Sequence, residues 1–340
     1  MISIGAIESF LNSVTIYANR LTKGFALCYT NTGVVSSLAL SRHISLSYQW
    51  EETFVECYSI TRKQFAERCP FPFQIVPDHA ALNQEAAHRI VDVIRKNNND
   101  DKDSSLILPV GPLLYEPLAE LCNREKLPLD RLTIFMMDEY LQPDGTPILE
   151  SHPLSFKGFM RKSLVSRLDT SLGFSMDRVI FPLPDILEEV SSRIISMGGV
   201  DLCFGGVGIS GHLAFNDPPE PEETDKDINW VRNCAARIVN ISRESNTQMA
   251  LGGTHGNWSI IPKQAVTVGM KEILASKKIC LTFMRTWHAG TMRRALFGPV
   301  SPDCPGSLVQ EHPNVEIILT ELAAEPPLVN ITLDTGEEES

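Results

Sequence analysis

From Phe73 onward the chain alternates short apolar runs with longer stretches in which apolar residues recur every three or four positions. Residues 106–110, 132–137, 200–204 and 279–283 are largely apolar, and 315–319 is broken only by Glu316. Runs that are apolar on both alternating faces suit strands covered on both sides, as in parallel sheets. Phe73–Val76 and, more weakly, residues 178–181 read as further short strands. Between them, Leu82, Ala86, Ile90, Val93 and Ile94 share one face of a helix that Asp78 can cap. The polar run 97–103 is expected to close that helix. Stretches 113–122, 186–197 and 289–297 are also amphipathic. Strand–helix alternation predicts an α/β fold, a doubly wound, mainly parallel sheet with helices on both faces.

The first 72 residues differ. They are rich in Ser, Thr and Tyr and weakly periodic; the stretch 33–40 could be strand or marginal helix. They are read as an N-terminal extension, 73–325 as the main domain, and 326–340, with Glu337, Glu338 and Glu339, as an acidic tail. Of the 340 residues 43% are apolar, enough for a sizeable core. With 30 Lys and Arg against 42 Asp and Glu, the net charge of -12 disfavours nucleic acid as a partner. A small anion needs only a few local donors. No apolar run is long enough for a transmembrane helix, so no membrane partner is expected. The N-terminus has no basic region and Glu8 interrupts its apolar stretch, which argues against a secretory leader. The eight cysteines form no C-x-x-C pair, and Cys203 and Cys280 sit inside strand-like runs. Reduced thiols in a cytoplasmic protein are the expectation.

Three strand ends carry unusual residues, and in open parallel sheets ligands bind at the carboxyl ends of strands. Asp138 and Glu139 directly follow the strand at 132–137. Such acids can cap a loop, or serve as a general base whose pKa apolar walls raise toward the working pH. The strand at 200–204 runs into a loop containing Gly205, Gly206, Gly208, Ser210, Gly211, His212 and Asp217. Its glycines allow close backbone approach to a ligand, and a carboxylate near an imidazole fixes its tautomer, so His212 and Asp217 could act together. Gly206 to Gly211 matches the dinucleotide spacing, but Pro218 and Pro219 would cut short the helix that this fingerprint must open. Gly111, after the strand at 106–110, is a weak anion cradle because Pro112 removes a donor. His88, His152, His255, His288 and His312 show no metal-ligand spacing, so no metal site is expected.

With these residues in view, the sequence resembles the glucosamine-6-phosphate deaminase/isomerase family over residues 73–324. The matching blocks are Met137-Asp138-Glu139-Tyr140, residues 151–156, and the run from Gly206 through Asn216, Asp217 and Pro218. Residues 265–270 and 307–313 support them. The resemblance implies a Rossmann-like fold of the sugar-phosphate isomerase superfamily. It also implies a small-molecule amino sugar or sugar phosphate as partner, and no cofactor. Homo-oligomerisation is left open. It implies that Asp138 moves a proton from C2 to C1 of the open-chain sugar, that His212 assists ring opening and that Asp217 orients His212. Glu139, Gly111, Gly206, Gly208, Ser210, Gly211, Arg285 and His288 are then expected around the substrate. The chain departs from the family where Ser210 replaces Asp and Asp217 replaces Glu. Asp217 is one methylene short, which questions its reach to the imidazole. The phosphate determinants are also thinned. No arginine lies between Asn246 and His255, and His288 stands where a lysine is usual. Arg237, Arg243, Arg285 and Arg293 are the candidate replacements. A non-catalytic sugar-binding protein and a sugar-lactone hydrolase are the alternatives of the same fold.

Overall fold

The computed structural model describes residues 56–111 and 113–327. The 33–40 stretch and the acidic tail lie outside them. Seven parallel strands form the main sheet in the order β1 (Phe73–Val76), β10 (Val315–Thr320), β9 (Ile279–Phe283), β6 (Leu202–Gly205), β2 (Ser104–Leu108), β3 (Leu132–Met136) and β5 (Val179–Ile180). Alternate residues of each central strand enter different cores. Leu106, Leu108, Ile134, Met136, Leu202 and Phe204 face one; Ile107, Phe135, Cys203, Ile279, Leu281 and Ile317 face the other. Helices α2 (His79–Asn99), α3 (Glu116–Glu125) and α4 (Phe156–Ser163) build the first core. Helices α1 (Arg62–Arg68), α5 (Leu187–Ser196), α6 (Ile228–Asn233), α8 (Met270–Leu274), α9 (His288–Phe297) and α10 (Glu321–Ala324) build the second. The sequence reads as apolar throughout because both strand faces are dry.

Several boundaries move for identifiable reasons. β2 ends at Leu108 rather than at residue 110: Pro109 has no N–H for the ladder, and Met137 N–H takes the Leu108 carbonyl at 2.9 Å. α2 continues through Asn97–Asn99, expected to be loop, because Asn97 is tied to Asp201 and Ser104 and Asn98 to the Pro128 carbonyl. Residues before the composition change at Pro72 pack into the second core. Phe65 of α1 is fully buried and meets the edges of Phe73 and Phe297 at 5.2 and 5.7 Å.

The chain runs β2, β3, β5 in one direction and then returns to β6 on the other side of β2 before continuing to β9 and β10. The order therefore reverses between β2 and β6, and a crevice opens where neighbouring loops leave in opposite directions. A second, antiparallel sheet of β4 (Asp138–Leu141), β8 (Gln264–Thr267) and β7 (Arg237–Asn240) stands beside this edge. Sequence patterning did not reveal this sheet. Its strands have four residues each, and β7 alternates half-buried with exposed positions in a short polar run.

Candidate active site

Four loops leave the carboxyl edge beside the reversal: after β2 with Gly111, after β3 with Asp138, after β6 with His212, and after β9 with Arg285. Asp138 opens β4, directly across from Thr267 of β8. Thr267 Oγ1 accepts the Phe215 N–H at 3.1 Å, and Asn216 Nδ2 donates to the Val268 carbonyl at 3.0 Å. The glycine-rich loop is thus fastened to the strand that pairs with Asp138, which joins the two stretches at one sheet edge.

The Asp138 side chain is buried, and no donor among the described residues reaches its carboxylate. Burial, aided by the neighbouring Glu139 charge, holds its carboxyl well above the usual range. The Tyr115 ring, buried with its hydroxyl bonded to the Pro109 carbonyl, lies close enough to feel that charge. A carboxyl in this setting is a stronger base once ionised than an exposed aspartate.

Glu139 points its chemistry elsewhere. Its oxygens accept N–H groups of Tyr140, Phe156 and Lys157 at 2.9, 3.1 and 2.8 Å and the Ser155 hydroxyl at 3.2 Å. It caps the start of α4, satisfying donors that a helix N-terminus leaves free. Burial still keeps its carboxyl raised against these bonds. The expectation that Glu139 binds substrate gives way to this structural role, because protein donors occupy its lone pairs.

The loop after β6 opens no helix, consistent with Pro218 and Pro219. It folds back so that Gly208 N–H donates to the His212 carbonyl at 2.9 Å and Gly211 takes φ +92°. A Cβ at Gly208 would lie 2.0 Å from His212 Nε2, so only glycine leaves room for the imidazole. Gly206 precedes this turn, half-buried. His212 Nδ1 lies 3.0 Å from Asp217 Oδ1, 2.8 Å from Ser210 Oγ and 3.0 Å from Ser245 Oγ. Asp217 is therefore long enough to reach the imidazole. Both hydroxyls also donate to Asp217 Oδ1, at 2.8 and 2.7 Å, and Ser242 N–H approaches Oδ2 at 3.4 Å. Burial pushes the Asp217 carboxyl up, but the His212 imidazole and the two hydroxyls more than offset it and hold the group well below its usual range. A carboxylate facing Nδ1 assigns the proton to that nitrogen and leaves the lone pair on Nε2.

Ser245 was not legible in the sequence. It lies on α7 (Arg243–Gly252), where Ser245 is buried, Gln248 is half-buried and Gly252, at the same helical spacing, is exposed. Gln248 Oε1 accepts the Ile209 N–H at 2.8 Å, a second tie to the loop. Small and polar residues at helical spacing on a weakly amphipathic helix are the one signal that could have marked this face.

The candidate arginines separate cleanly. Arg293 is fully buried and gives its donors to the Ile60, Ala289, Ala324 and Glu325 carbonyls, so it ties α1 and α10 to α9. Arg237 donates to Asn216 Oδ1 at 2.7 Å and lies over the Trp230 ring. Arg243 is exposed at the start of α7. Arg285 is half-buried, has no acidic partner among the described residues, and lies against Gly252, where a Cβ would stand 3.7 Å from its guanidinium. His288, which stands where the family has a lysine, supplies no cation. Its Nδ1 accepts the Met284 and Arg285 N–H groups, each at 3.0 Å, and burial with nearby Arg285 and His79 pushes its pKa down to about 3. It is neutral and holds the turn that carries Arg285. Gly111 is exposed with φ +56°. His152 lies apart, lining a cavity of about 930 Å³ at the opposite end of the small sheet with Gln142, Asn240 and Lys263.

No family model matches the chain. A glucosamine-6-phosphate deaminase of Rhodopirellula baltica is 31% identical over 261 residues, 74% of this chain and 94% of that protein. This chain belongs to the glucosamine-6-phosphate deaminase family. The enzyme of the same name from Staphylococcus aureus (strain MRSA252) is 27% identical over 231 residues, 65% of this chain and 82% of its own. A solved monomeric glucosamine-6-phosphate deaminase superposes with a TM-score of 0.62 at 22% identity, covering 75% of this chain and 99% of the other. A 6-phosphogluconolactonase of Thermotoga maritima superposes at 0.53 with 15% identity, covering 74% of this chain and all of that one, and shares the fold. Family membership makes this chain an enzyme of the deaminase type. Among the described residues no helix is long and apolar enough to cross a membrane.

Proposed function

We propose that this protein converts an amino sugar to a ketose with release of ammonia, and that glucosamine 6-phosphate is its substrate. The observation that carries the reading is the pairing of a bare, buried carboxyl, Asp138, with a separately dressed imidazole, His212, on one sheet edge. His212 Nε2 takes the proton of the ring hydroxyl and returns it to the ring oxygen, opening the hemiacetal. Asp138 removes the C2 proton of the open-chain aldose. The electron pair passes through an enolamine, and the same carboxyl delivers the proton to C1. The resulting C2 imine adds water and loses ammonia, so one water enters and one ammonia leaves. Ser210, Gly206, Gly208, Gly211 and Gly111 form the backbone floor over which the sugar lies.

Arg285 supports an anionic substituent on that sugar. On α7, Ser245 reaches His212, and a Cβ at Gly252, seven residues on, would stand 3.7 Å from the Arg285 guanidinium. Seven residues are two helical turns, about 10.5 Å along the same face. An extended hexose with a terminal phosphate spans that length with C1 toward His212 and its anion toward Arg285. A guanidinium–phosphate contact is charge-assisted and contributes about 1.5–3 kcal/mol. Ammonia release from glucosamine 6-phosphate and from glucosamine tests the proposal. Turnover of the phosphate ester, with KM raised roughly ten- to hundredfold in Arg285→Ala and little changed for glucosamine, is expected. No ammonia from either sugar with folded protein removes the deaminase reading. Acid released from a sugar lactone instead would transfer it to the hydrolase chemistry of the lactonase neighbour.

A further inference from the structure

The hydrogen-bond geometry around His212 involves a residue for which the reaction above gives no role. Ser245 is buried and comes from α7, whereas Ser210 and Asp217 belong to the same loop as the imidazole. Its hydroxyl proton goes to Asp217 Oδ1 at 2.7 Å, and its oxygen remains free to accept from His212 Nδ1 at 3.0 Å. A hydroxyl has one proton and two lone pairs, so both contacts can hold at once. Ser210 repeats the arrangement from the other side at 2.8 Å to each partner. The imidazole proton therefore has one carboxylate and two hydroxyl oxygens around it. Of the three, only the Ser245 oxygen belongs to a separate element of the fold.

We propose that Ser245 is a positioning residue: its hydroxyl, brought in on α7, fixes the tautomer and orientation of His212 through Asp217. The proposal rests on His212 as the ring-opening residue. Ser245 touches neither substrate nor reacting atoms. Gln248, one turn further on, seats the same helix on Ile209 without touching the Asp217–His212 pair. The two side chains thus separate helix docking from imidazole positioning.

The test compares Ser245→Ala, Ser245→Thr and Gln248→Ala in the full chain by ¹⁵N NMR of the His212 ring without ligand and by steady-state kinetics with glucosamine 6-phosphate. The wild-type ring is expected as the Nδ1–H tautomer. In Ser245→Ala the Nε2–H form gains population, kcat falls roughly tenfold as one hydrogen bond is lost, and KM stays within about twofold. Threonine, which keeps the hydroxyl, recovers both readouts. Gln248→Ala leaves the tautomer as in wild type. An unchanged His212 spectrum in Ser245→Ala, or equal kinetic losses in Ser245→Ala and Gln248→Ala, overturns the proposal. The spectrum needs no turnover, so an inactive wild type would remove the deaminase reading while the ring signals still decided the role of Ser245.

Discussion

Asp138 and Asp217 are the same residue type, one buried and one largely shielded from solvent, both on the carboxyl edge of one sheet, yet their surroundings are opposite. Among the described residues nothing donates to Asp138, and a second carboxylate stands beside it. Asp217 receives an imidazole N–H, two hydroxyls and the approach of a backbone N–H. Desolvation raises the pKa of both, and hydrogen bonds reverse it for only one. A carboxylate already saturated with donors is a poor base and a good anchor. A bare one is costly to ionise and therefore binds a proton avidly. The contrast divides the labour between proton transfer and positioning.

The largest expected effect is from Asp138→Asn. Removing a general base lowers turnover by about 10²–10⁴-fold. The same change should stabilise the protein at pH 8. A carboxyl whose folded pKa is raised contributes stability that is full below the unfolded value and is lost as pH rises through the folded one. The gain in Tm should fade as pH falls toward the ordinary carboxyl range. A Tm at pH 8 no higher than wild type would mean that Asp138 has a partner after all.

Asp217→Asn comes next and has the opposite sign. A carboxylate with a lowered pKa contributes stability above its unfolded value and loses it as pH falls. The variant should lose about 1.5–3 kcal/mol at neutral pH, the worth of hydrogen bonds to a charged group, and the deficit should shrink in acid. Equal stability of variant and wild type at pH 7 in denaturant melts would erase the contrast. Glu139→Gln sharpens it further. Removing the like charge should lower the Asp138 pKa and move the acid limb of the pH–rate profile to lower pH, at a cost of about 1–3 kcal/mol to the α4 cap. A limb that stays in place would show that burial alone sets the Asp138 value. Ser210→Ala should be the mildest, costing about 0.5–1.5 kcal/mol, with Ser245 still donating to Asp217. A loss as large as that of Asp217→Asn would instead make Ser210 the main anchor of the pair.

How far the site could be read in advance varied from residue to residue. Asp138, His212 and Asp217 stood out as candidates because each follows a run that announces a buried strand, and chemistry gathers at the carboxyl ends of such strands. Glu139 was misjudged because an acid beside a base reads the same whether it faces a ligand or a helix start. His288 was placed near the substrate by its position alone; that it is neutral and bonded to two backbone N–H groups follows from burial and packing. Arg293 and Arg285 were indistinguishable as candidates. Only packing shows that Arg293 is consumed by four carbonyls, whereas Arg285 has no acidic partner among the described residues. Ser245 lies 33 positions from His212, and only the small and polar spacing of its helix hinted at it.

Local periodicity fixes what each segment must bury, so the sequence alone determined the doubly wound sheet, the loops proposed to carry its chemistry and the resemblance of those loops to one enzyme family. The second sheet, the seating of α7 and the contrasting environments of Asp138 and Asp217 were decided by tertiary structure. They depend on donors and dielectric supplied by residues far away in the chain, and a proton's affinity for a carboxylate is set by those neighbours rather than by the residue's own name.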